Sequence, residues 1–203
     1  MPTRNHCKFC SLLRDDPVSD TVPLWDIPFH ETSSFFCLPD AMPIFPYHFM
    51  IITKEHILSL ADAGADIINE YYALAYFFAS RLKSSGPYME IEHGSRQHDK
   101  AGACVDHAHV HWLGPMTKDA SILQPPLPRL DLGDHFDLIA RSEPYVFIRA
   151  NGKASFYNAS GIESKYMRKF VARAFEVDPF GTGERTLANM SLAMHDWRIN
   201  EQS

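Results

Sequence analysis

Three histidines alternate with small or branched apolar residues in the middle of the chain, in the run His107-Ala108-His109-Val110-His111. Side chains on a β-strand alternate between its two faces, so the three imidazoles would share one face, with successive rings about 7 Å apart. Imidazole titrates near neutral pH, so one ring can attack as a neutral nucleophile while another donates a proton. The pattern therefore predicts catalysis or phosphate binding; a metal site or a histidine-rich surface strand is the alternative.

A second group with chemical potential lies near the N-terminus. Cys7 and Cys10 form a C-x-x-C pair, while Cys37 and Cys104 stand apart. In a reducing compartment such a pair indicates metal or redox chemistry more often than a structural disulfide. One pair supplies two of the four ligands of a tetrahedral zinc site, so two further ligands would come from elsewhere in the chain.

Composition limits the class of protein. With 203 residues, of which 45% are hydrophobic and 22% charged, the chain suits a globular protein with a core of ordinary size. Its net charge of −6 gives no electrostatic footprint for non-specific nucleic-acid binding, and no apolar run reaches the roughly 18 residues that span a bilayer. Residues 1–10 lack the apolar segment of a signal peptide, and we expect a cytoplasmic protein.

The first half of the chain is predicted to combine strands with one long helix. Apolar residues at three- and four-residue spacing from Ile57 to Ser84 predict an amphipathic helix, broken near Gly64. Aromatic and β-branched runs bounded by serine, proline and glycine predict strands, and a proline-rich loop separates the first two. These strands are Ser34–Leu38, His48–Thr53, Tyr88–Glu92 and the triad strand His107–Leu113.

The second half begins with a segment rich in proline. Four prolines between Pro115 and Pro128 indicate a linker, so we predict a catalytic domain over 1–115, a linker over 116–130 and an extension over 131–203. In the extension, Asn151-Gly152 between two alternating segments is typical of a β-hairpin. Residues 163–175 carry apolar side chains on one face and predict a helix.

Three further motifs resemble those of the histidine-triad (HIT) superfamily. The run from Asp40 to His48 (DAMPIFPYH) is similar to its D-x-x-P-x-x-P-x-H loop. The run from His48 to His56 (HFMIITKEH) is similar to its H-φ-φ-φ-φ-P-K-x-H strand, with Thr53 in place of proline. Gly102 to Asp106 is similar to the G-Q-S-V-x run that precedes the triad. The resemblance covers roughly residues 7–115, a little over half of the chain.

The resemblance implies an α+β fold, with an antiparallel sheet of about five strands, a long helix and a nucleotide bound across the triad. It also implies a hydrolase or nucleotidyltransferase that attacks the α-phosphate of a dinucleoside polyphosphate, nucleotide conjugate or phosphoramidate and releases a nucleoside monophosphate. His109 would be the nucleophile, His111 would contact the phosphate or leaving group, and Asp40 would accept the ribose hydroxyls. Cys104 stands where the family has serine and is a weaker donor to phosphate.

The resemblance extends to a zinc-bearing branch of diadenosine polyphosphate hydrolase-like proteins. In that branch a C-x-x-C pair joins a histidine at the position of His48 and the first triad histidine. This implies Cys7, Cys10, His48 and His107 as a closed, structural zinc site. In the alternative, the two thiols are free and His107 belongs to the catalytic histidines.

Other functions stay open. The chain can be a non-enzymatic zinc-stabilised module that binds nucleotides or a protein partner. The basic helix around Arg168 and Lys169 is a weaker candidate for polynucleotide contact, because the chain is acidic and a solvated helix face explains those charges. The resemblance further implies a homodimer. The loop before the triad offers His93, Arg96, His98 and Lys100 as candidate phosphate contacts or as surface charges.

Overall fold

The computed structural model describes residues 7–13, 23–82, 86–94, 105–119, 123–132, 136 and 144–180. These residues form one mixed-length antiparallel sheet, three α-helices and two short 3-10 turns, at Leu24–Asp26 and Leu60–Asp62. The helices are α1 (Lys8–Leu12), α2 (Ala65–Leu82) and α3 (Tyr166–Phe175). The strands are β1 (His30–Glu31), β2 (Phe35–Pro39), β3 (Tyr47–Thr53), β4 (Met89–Gly94), β5 (His109–Gly114), β6 (Arg129–Leu130), β7 (Tyr145–Ala150) and β8 (Lys153–Asn158).

The sheet confirms the predicted α+β class but not the predicted number of strands. Its order is β1-β2-β3-β5-β4-β7-β8-β6, which gives eight strands among the described residues instead of about five. Strand β7 pairs along the whole length of β4, from Met89↔Ala150 to Gly94↔Tyr145. The added strands thereby satisfy the backbone donors and acceptors of β4 that would otherwise form an exposed edge.

The predicted hairpin is confirmed. Strands β7 and β8 pair antiparallel, with Ala150 opposite Lys153 and two residues between them. Both turn residues have positive φ, 50° at Asn151 and 76° at Gly152, which is the requirement of a type I′ turn. Asparagine and glycine tolerate that conformation at the least steric cost, so the local sequence alone specifies this turn.

The hairpin continues the sheet that contains the triad, so the predicted extension is hydrogen-bonded directly to the predicted catalytic domain. Strand β6 lies within the predicted linker and pairs with β8 through Arg129↔Tyr157. The predicted domain boundaries, 1–115, 116–130 and 131–203, remain a prediction. The pairing means that the extension and the first 115 residues share one hydrophobic core.

The sheet is covered on both faces. Helix α2 packs on one face, where Phe78 contacts Trp112 of β5 and Tyr71 contacts Phe35 of β2. Helix α3 packs on the other face over β4, β7 and β8, through Met167, Val171 and Phe175. The short helix α1 packs on that second face at the other end of the sheet, where Phe9 contacts β2 and β3. A space is left between α1 and α3, over β5.

Two helices begin later than the sequence predicts. The helix predicted from Ile57 to Ser84 is α2, which begins at Ala65, because the preceding residues form other hydrogen bonds. The Ile57 carbonyl accepts from the Ala108 N–H at 2.7 Å, and the Asp62 N–H closes a 3-10 turn on Ser59. A tertiary hydrogen bond to the segment before β5 thus overrides the helical periodicity. The helix predicted over 163–175 is α3 and begins at Tyr166, after Lys165 in a left-handed conformation.

A buried carboxyl group on the α2 face gives a prediction about stability. Glu92 is fully buried; it accepts a hydrogen bond from the Leu60 N–H at 2.7 Å and another from the Tyr145 hydroxyl. Burial raises the pKa of Glu92 to about 8, so the group is protonated in the folded protein at neutral pH. Because this pKa lies above that of an unfolded chain, the stability it confers is present below about pH 4 and is lost as the pH rises through 8.

We therefore expect the free energy of unfolding to fall between pH 5 and 8, with a contribution from Glu92 of at most about 1.4 kcal/mol per pH unit. Glu92→Gln, an analogue of the protonated form, should abolish that part of the slope, and its advantage over the wild type should grow with pH. Urea unfolding across this pH range measures the effect. Glu163→Gln, at an exposed carboxylate, is the matched control. Parallel pH profiles for wild type and Glu92→Gln would contradict the prediction.

Candidate functional site

The triad lies at the end of the central strand β5. Strand β5 pairs with β3 on one side and β4 on the other, which fixes the orientation of its side chains. His109 and His111 face the space between α1 and α3, and their ring centroids are 5.0 Å apart. His107 precedes the strand, because its N–H bonds back to the Val105 carbonyl at 2.9 Å. Two of the three imidazoles therefore occupy the strand face that the alternation predicts, and the third lies just before it.

The protonation of His109 follows from one hydrogen bond. Its Nδ1 lies 2.6 Å from the backbone carbonyl oxygen of His107, and a carbonyl only accepts, so Nδ1 carries the proton. The remaining nitrogen, Nε2, then holds a free lone pair in the neutral ring. Burial lowers the pKa of His109, which favours this neutral form. The geometry produces an uncharged imidazole whose lone pair is available for attack.

A chain of hydrogen bonds fixes His111 in the complementary form. The Ile44 N–H donates to His48 Nδ1 at 3.2 Å, so in the neutral ring His48 carries its proton on Nε2. That Nε2 lies 3.1 Å from His111 Nδ1 and 3.2 Å from Asp40 Oδ2. His111 Nδ1 is then an acceptor, and its own proton is on Nε2. Burial lowers the pKa of His48 to about 4, against the opposing charge of Asp40, and so favours the neutral ring.

Asp40 is buried at the centre of a polar cluster. Its Oδ1 accepts from the Met42 N–H at 2.8 Å, and its Oδ2 accepts from Arg168 Nη2 at 2.7 Å. Although burial raises its pKa, the Arg168 guanidinium and the hydrogen bond from the Met42 N–H hold the pKa of this carboxyl well below its usual range. The carboxylate therefore stays ionised at neutral pH, with a guanidinium as its partner.

A second cluster gathers the cysteine pair beside the first triad histidine. Cys7 Sγ lies 3.3 Å from His107 Nδ1, and Cys10 Sγ lies 3.2 Å from His56 Nδ1. The two imidazole Nδ1 atoms are 3.2 Å apart, and Cys10 Sγ is 3.6 Å from His107 Nδ1. All four donor atoms thus converge on one point, and the four residues are of the types that bind zinc.

The donor atoms fit a tetrahedral ion. Bonds of about 2.0 Å to nitrogen and 2.3 Å to sulfur place N and N about 3.3 Å apart, and S and N about 3.6 Å apart, at tetrahedral angles. The four separations given above agree with these values within a few tenths of an ångström. His107 Nε2 donates to the Thr53 carbonyl at 2.7 Å, which leaves the lone pair of Nδ1 directed at the cluster.

His48 does not belong to this group, and that part of the predicted ligand set is corrected. In the antiparallel register His48 pairs with Leu113, whereas Ile52 pairs with His109, so His48 and His107 lie near opposite ends of β3 and β5. A single ion cannot reach both. His56, three residues after the end of β3, takes the place predicted for His48. It is the last histidine of the motif His48–His56, so the sequence contained the signal.

The pocket over the triad is built by three parts of the chain. Phe9 of α1 contacts the rings of His107 and His109 edge-on, with centroids 5.7 and 5.4 Å apart. The loop around Asp40 forms a second side, and α3 forms the third. Apolar side chains line most of the pocket, namely Met42, Ile44, Met50, Ile91, Val105, Leu113, Met167 and Val171. An apolar pocket with imidazoles at one end can hold a nucleobase against its apolar side chains and a phosphate against the imidazoles.

Other predicted residues have separate outcomes. Cys104 lies outside the described residues, as do Arg96, His98 and Lys100. His93 lines the pocket. The charges of the basic helix do not form a uniform solvated face, because Arg168 turns inward to Asp40 while Lys169 pairs with Glu163 at 2.9 Å. A bilayer-spanning helix is not found in the part of the chain that the structure describes.

Comparison with known proteins identifies a domain family for part of the chain. Residues 27–118 match the model of the HIT domain. A curated relative from Danio rerio, named adenosine 5'-monophosphoramidase HINT3, is 26% identical over 113 residues, which is 55% of this chain and 66% of the relative, just under two thirds of its length.

Among solved structures, a HIT family hydrolase from Clostridium thermocellum is 25% identical and covers 58% of this chain and 97% of its own, with a TM-score of 0.43. A hypothetical protein from Leishmania major is 22% identical and covers 58% and 77%, with a TM-score of 0.46. The domain match spans the Asp40 loop, strand β3 and the triad on β5. Residues 27–118 are therefore a HIT domain.

Proposed function

We propose that the chain is a nucleotidyl hydrolase or transferase that cleaves its substrate at the α-phosphate through a covalent intermediate on His109. The observation that carries the proposal is the 2.6 Å hydrogen bond from His109 Nδ1 to the His107 carbonyl. It leaves an unprotonated Nε2 on a side chain that lines a largely apolar pocket. A neutral imidazole in that form is a competent nucleophile towards phosphorus.

The two histidines on β5 divide the chemistry between them. His109 Nε2 would attack phosphorus to form a P–N bond while the bond to the leaving group breaks. His111, whose neutral ring carries its proton on Nε2, would donate a hydrogen bond to the phosphate or the leaving group as the bond to phosphorus breaks, and the leaving group would take its proton from solvent. In the second step a water or another acceptor would attack phosphorus, lose its proton to solvent and release the nucleoside monophosphate from His109. His48 would position His111 by holding its Nδ1 as an acceptor.

The substrate class follows from the site and from the relative. The Danio rerio relative carries the name of a phosphoramidase, which supports a nucleoside phosphoramidate as substrate. Dinucleoside polyphosphates and nucleotide conjugates have the same α-phosphate, so we propose them as substrates as well. Asp40 would accept the ribose hydroxyls, and its side chain is only 8% exposed, so nucleotide entry requires Arg168 to move away from it. A phosphate contact from Cys104 also remains part of the proposal, and it is supported only by the resemblance to the family motif.

We further propose that Cys7, Cys10, His56 and His107 hold a structural zinc ion. A closed four-ligand set stabilises a fold without taking part in the reaction. Here it would fasten α1 to the segment before β5, so that Phe9 and the His107 carbonyl are both held against His109. Reduced thiols that bind a metal suit the cytoplasmic location that the sequence predicts, and a homodimer likewise stays a prediction.

Trapping the intermediate tests the proposal. The full chain is mixed with adenosine phosphoramidate or diadenosine tetraphosphate, each labelled at the α-phosphate, and is quenched in base during turnover. We expect released AMP together with label on the peptide that contains His109, since phosphoramidates of histidine survive base. AMP release with label on another residue would contradict the covalent role of His109. Nucleotide binding without turnover of either substrate would favour the non-enzymatic module.

A further inference from the structure

We propose that Arg168, on α3 and outside the HIT domain, binds the phosphate of the nucleotide by exchanging its present partner, Asp40, for the phosphate oxygens. The inference rests on the proposed function, because it concerns the same nucleotide in the same pocket. It gives α3 a direct part in substrate recognition.

The first turn of α3 forms a wall of the pocket beside the triad. Lys165, Met167 and Arg168 line the same pocket as His109 and His111. Arg168 Nη2 donates to Asp40 Oδ2 at 2.7 Å, and that oxygen lies 3.6 Å from His111 Nδ1. One carboxylate oxygen therefore separates the guanidinium from a triad imidazole, so a small shift brings the guanidinium to a phosphate held there.

Backbone contacts hold the guanidinium near the triad independently of Asp40. Arg168 Nη1 donates to the Met42 carbonyl at 2.6 Å and to the Pro179 carbonyl at 3.1 Å. Among the described residues, the hydrogen bonds of this side chain use Nη1 and Nη2 and leave Nε–H unused. The Nε–H and Nη2–H groups form a planar fork whose spacing matches two oxygens of a phosphate.

Only a ligand with a phosphate gives both Asp40 and Arg168 a new partner when their ion pair separates. Separating the Asp40–Arg168 pair leaves two charges in a poorly solvated site, which is costly unless each charge finds a new partner. A nucleotide supplies both, because its ribose hydroxyls donate to Asp40 and its phosphate accepts from Arg168. A nucleoside supplies the first partner only. The pocket should therefore select nucleotides over nucleosides, and Arg168 should carry that selection.

Titration calorimetry of the full chain with AMP and with adenosine tests this, because the two ligands differ only in the phosphate. Arg168→Ala should weaken AMP binding by about 10- to 100-fold and adenosine binding by less than about threefold. Arg168→Lys keeps the charge but loses the fork and should fall between wild type and Arg168→Ala. Lys169→Ala changes the next residue, which is exposed and paired with Glu163, and should leave both affinities unchanged.

Equal weakening of AMP and adenosine in Arg168→Ala would overturn the proposal, because Arg168 would then act only by holding Asp40. Unchanged AMP binding would overturn it as well. If Arg168→Ala does not fold, Asp40→Asn is compared with Asp40→Asn/Arg168→Met, which removes both charges of the pair. A further loss of AMP affinity alone in the double variant supports the proposal, and no further loss contradicts it. If AMP binds through Arg168 but no substrate is turned over, the proposed reaction fails and this inference stands.

Discussion

His109→Asn is expected to lower kcat/KM for AMP release by about four orders of magnitude or more, because it removes the proposed nucleophile. Asparagine is the most specific test of the nucleophile at this position. Its side-chain N–H can still donate to the His107 carbonyl, which His109 Nδ1 contacts at 2.6 Å, but it has no counterpart of the Nε2 lone pair. The variant thus keeps the local hydrogen bond and loses only the attacking atom.

The measurement is the rate of AMP release from adenosine phosphoramidate, together with the melting temperature and the affinity for AMP. We expect folding and AMP binding to be retained, so that the loss appears in kcat. His30→Gln is the control, because His30 lies on the edge strand β1, where its ring stacks on Phe77. Turnover of His109→Asn at a rate near that of the wild type would exclude covalent catalysis at this residue.

Zinc removal should have the second large effect, on stability and on activity together. Structural zinc sites commonly contribute several kcal/mol to folding, which corresponds here to a loss of about 10 °C or more in melting temperature. Activity should fall with it, because His107 is both a proposed ligand and the source of the carbonyl that orients His109. Elemental analysis should give about one zinc per chain, and chelation should lower the melting temperature.

Single variants distinguish the ligand set found in the structure from the one that the sequence implies. His56→Asn and Cys10→Ser should lose the zinc, since both residues belong to the four-atom cluster. His48→Asn should retain it and lose activity instead, because His48 contacts His111 and Asp40. If His48→Asn loses zinc and His56→Asn keeps it, then His48 and not His56 is the ligand. If the wild type contains no zinc, the proposed zinc site is wrong.

Features that depend on neighbouring residues were predictable from the sequence. The turn at Asn151-Gly152 follows from the positive φ that those two residues accept, and the alternation in β5 places His109 and His111 together on one face. The C-x-x-C spacing brings the two thiols together, because Cys7 immediately precedes α1 and Cys10 lies in its first turn. In each case the geometry is set by a few consecutive backbone dihedral angles.

The sequence did not decide which histidine completes the cysteine cluster. His48 and His56 both belong to the recognised motif, and local geometry treats them equally. The choice is made by the register of β3 against β5, which places His48 opposite Leu113, six residues along the chain from His107. Register depends on the packing of whole strands, so no short stretch of sequence reveals it.

The position of α3 was also decided only by tertiary structure. Its amphipathic pattern predicts a helix with one buried face, but not which surface that face covers or that Arg168 reaches Asp40 across 128 residues of sequence. Pairing of β7 with β4 brings the helix over the triad. The sequence by itself therefore determined the types and local arrangement of the reactive groups. Long-range strand pairing decided which of them meet, because contacts between distant residues depend on the free energy of the whole packed core.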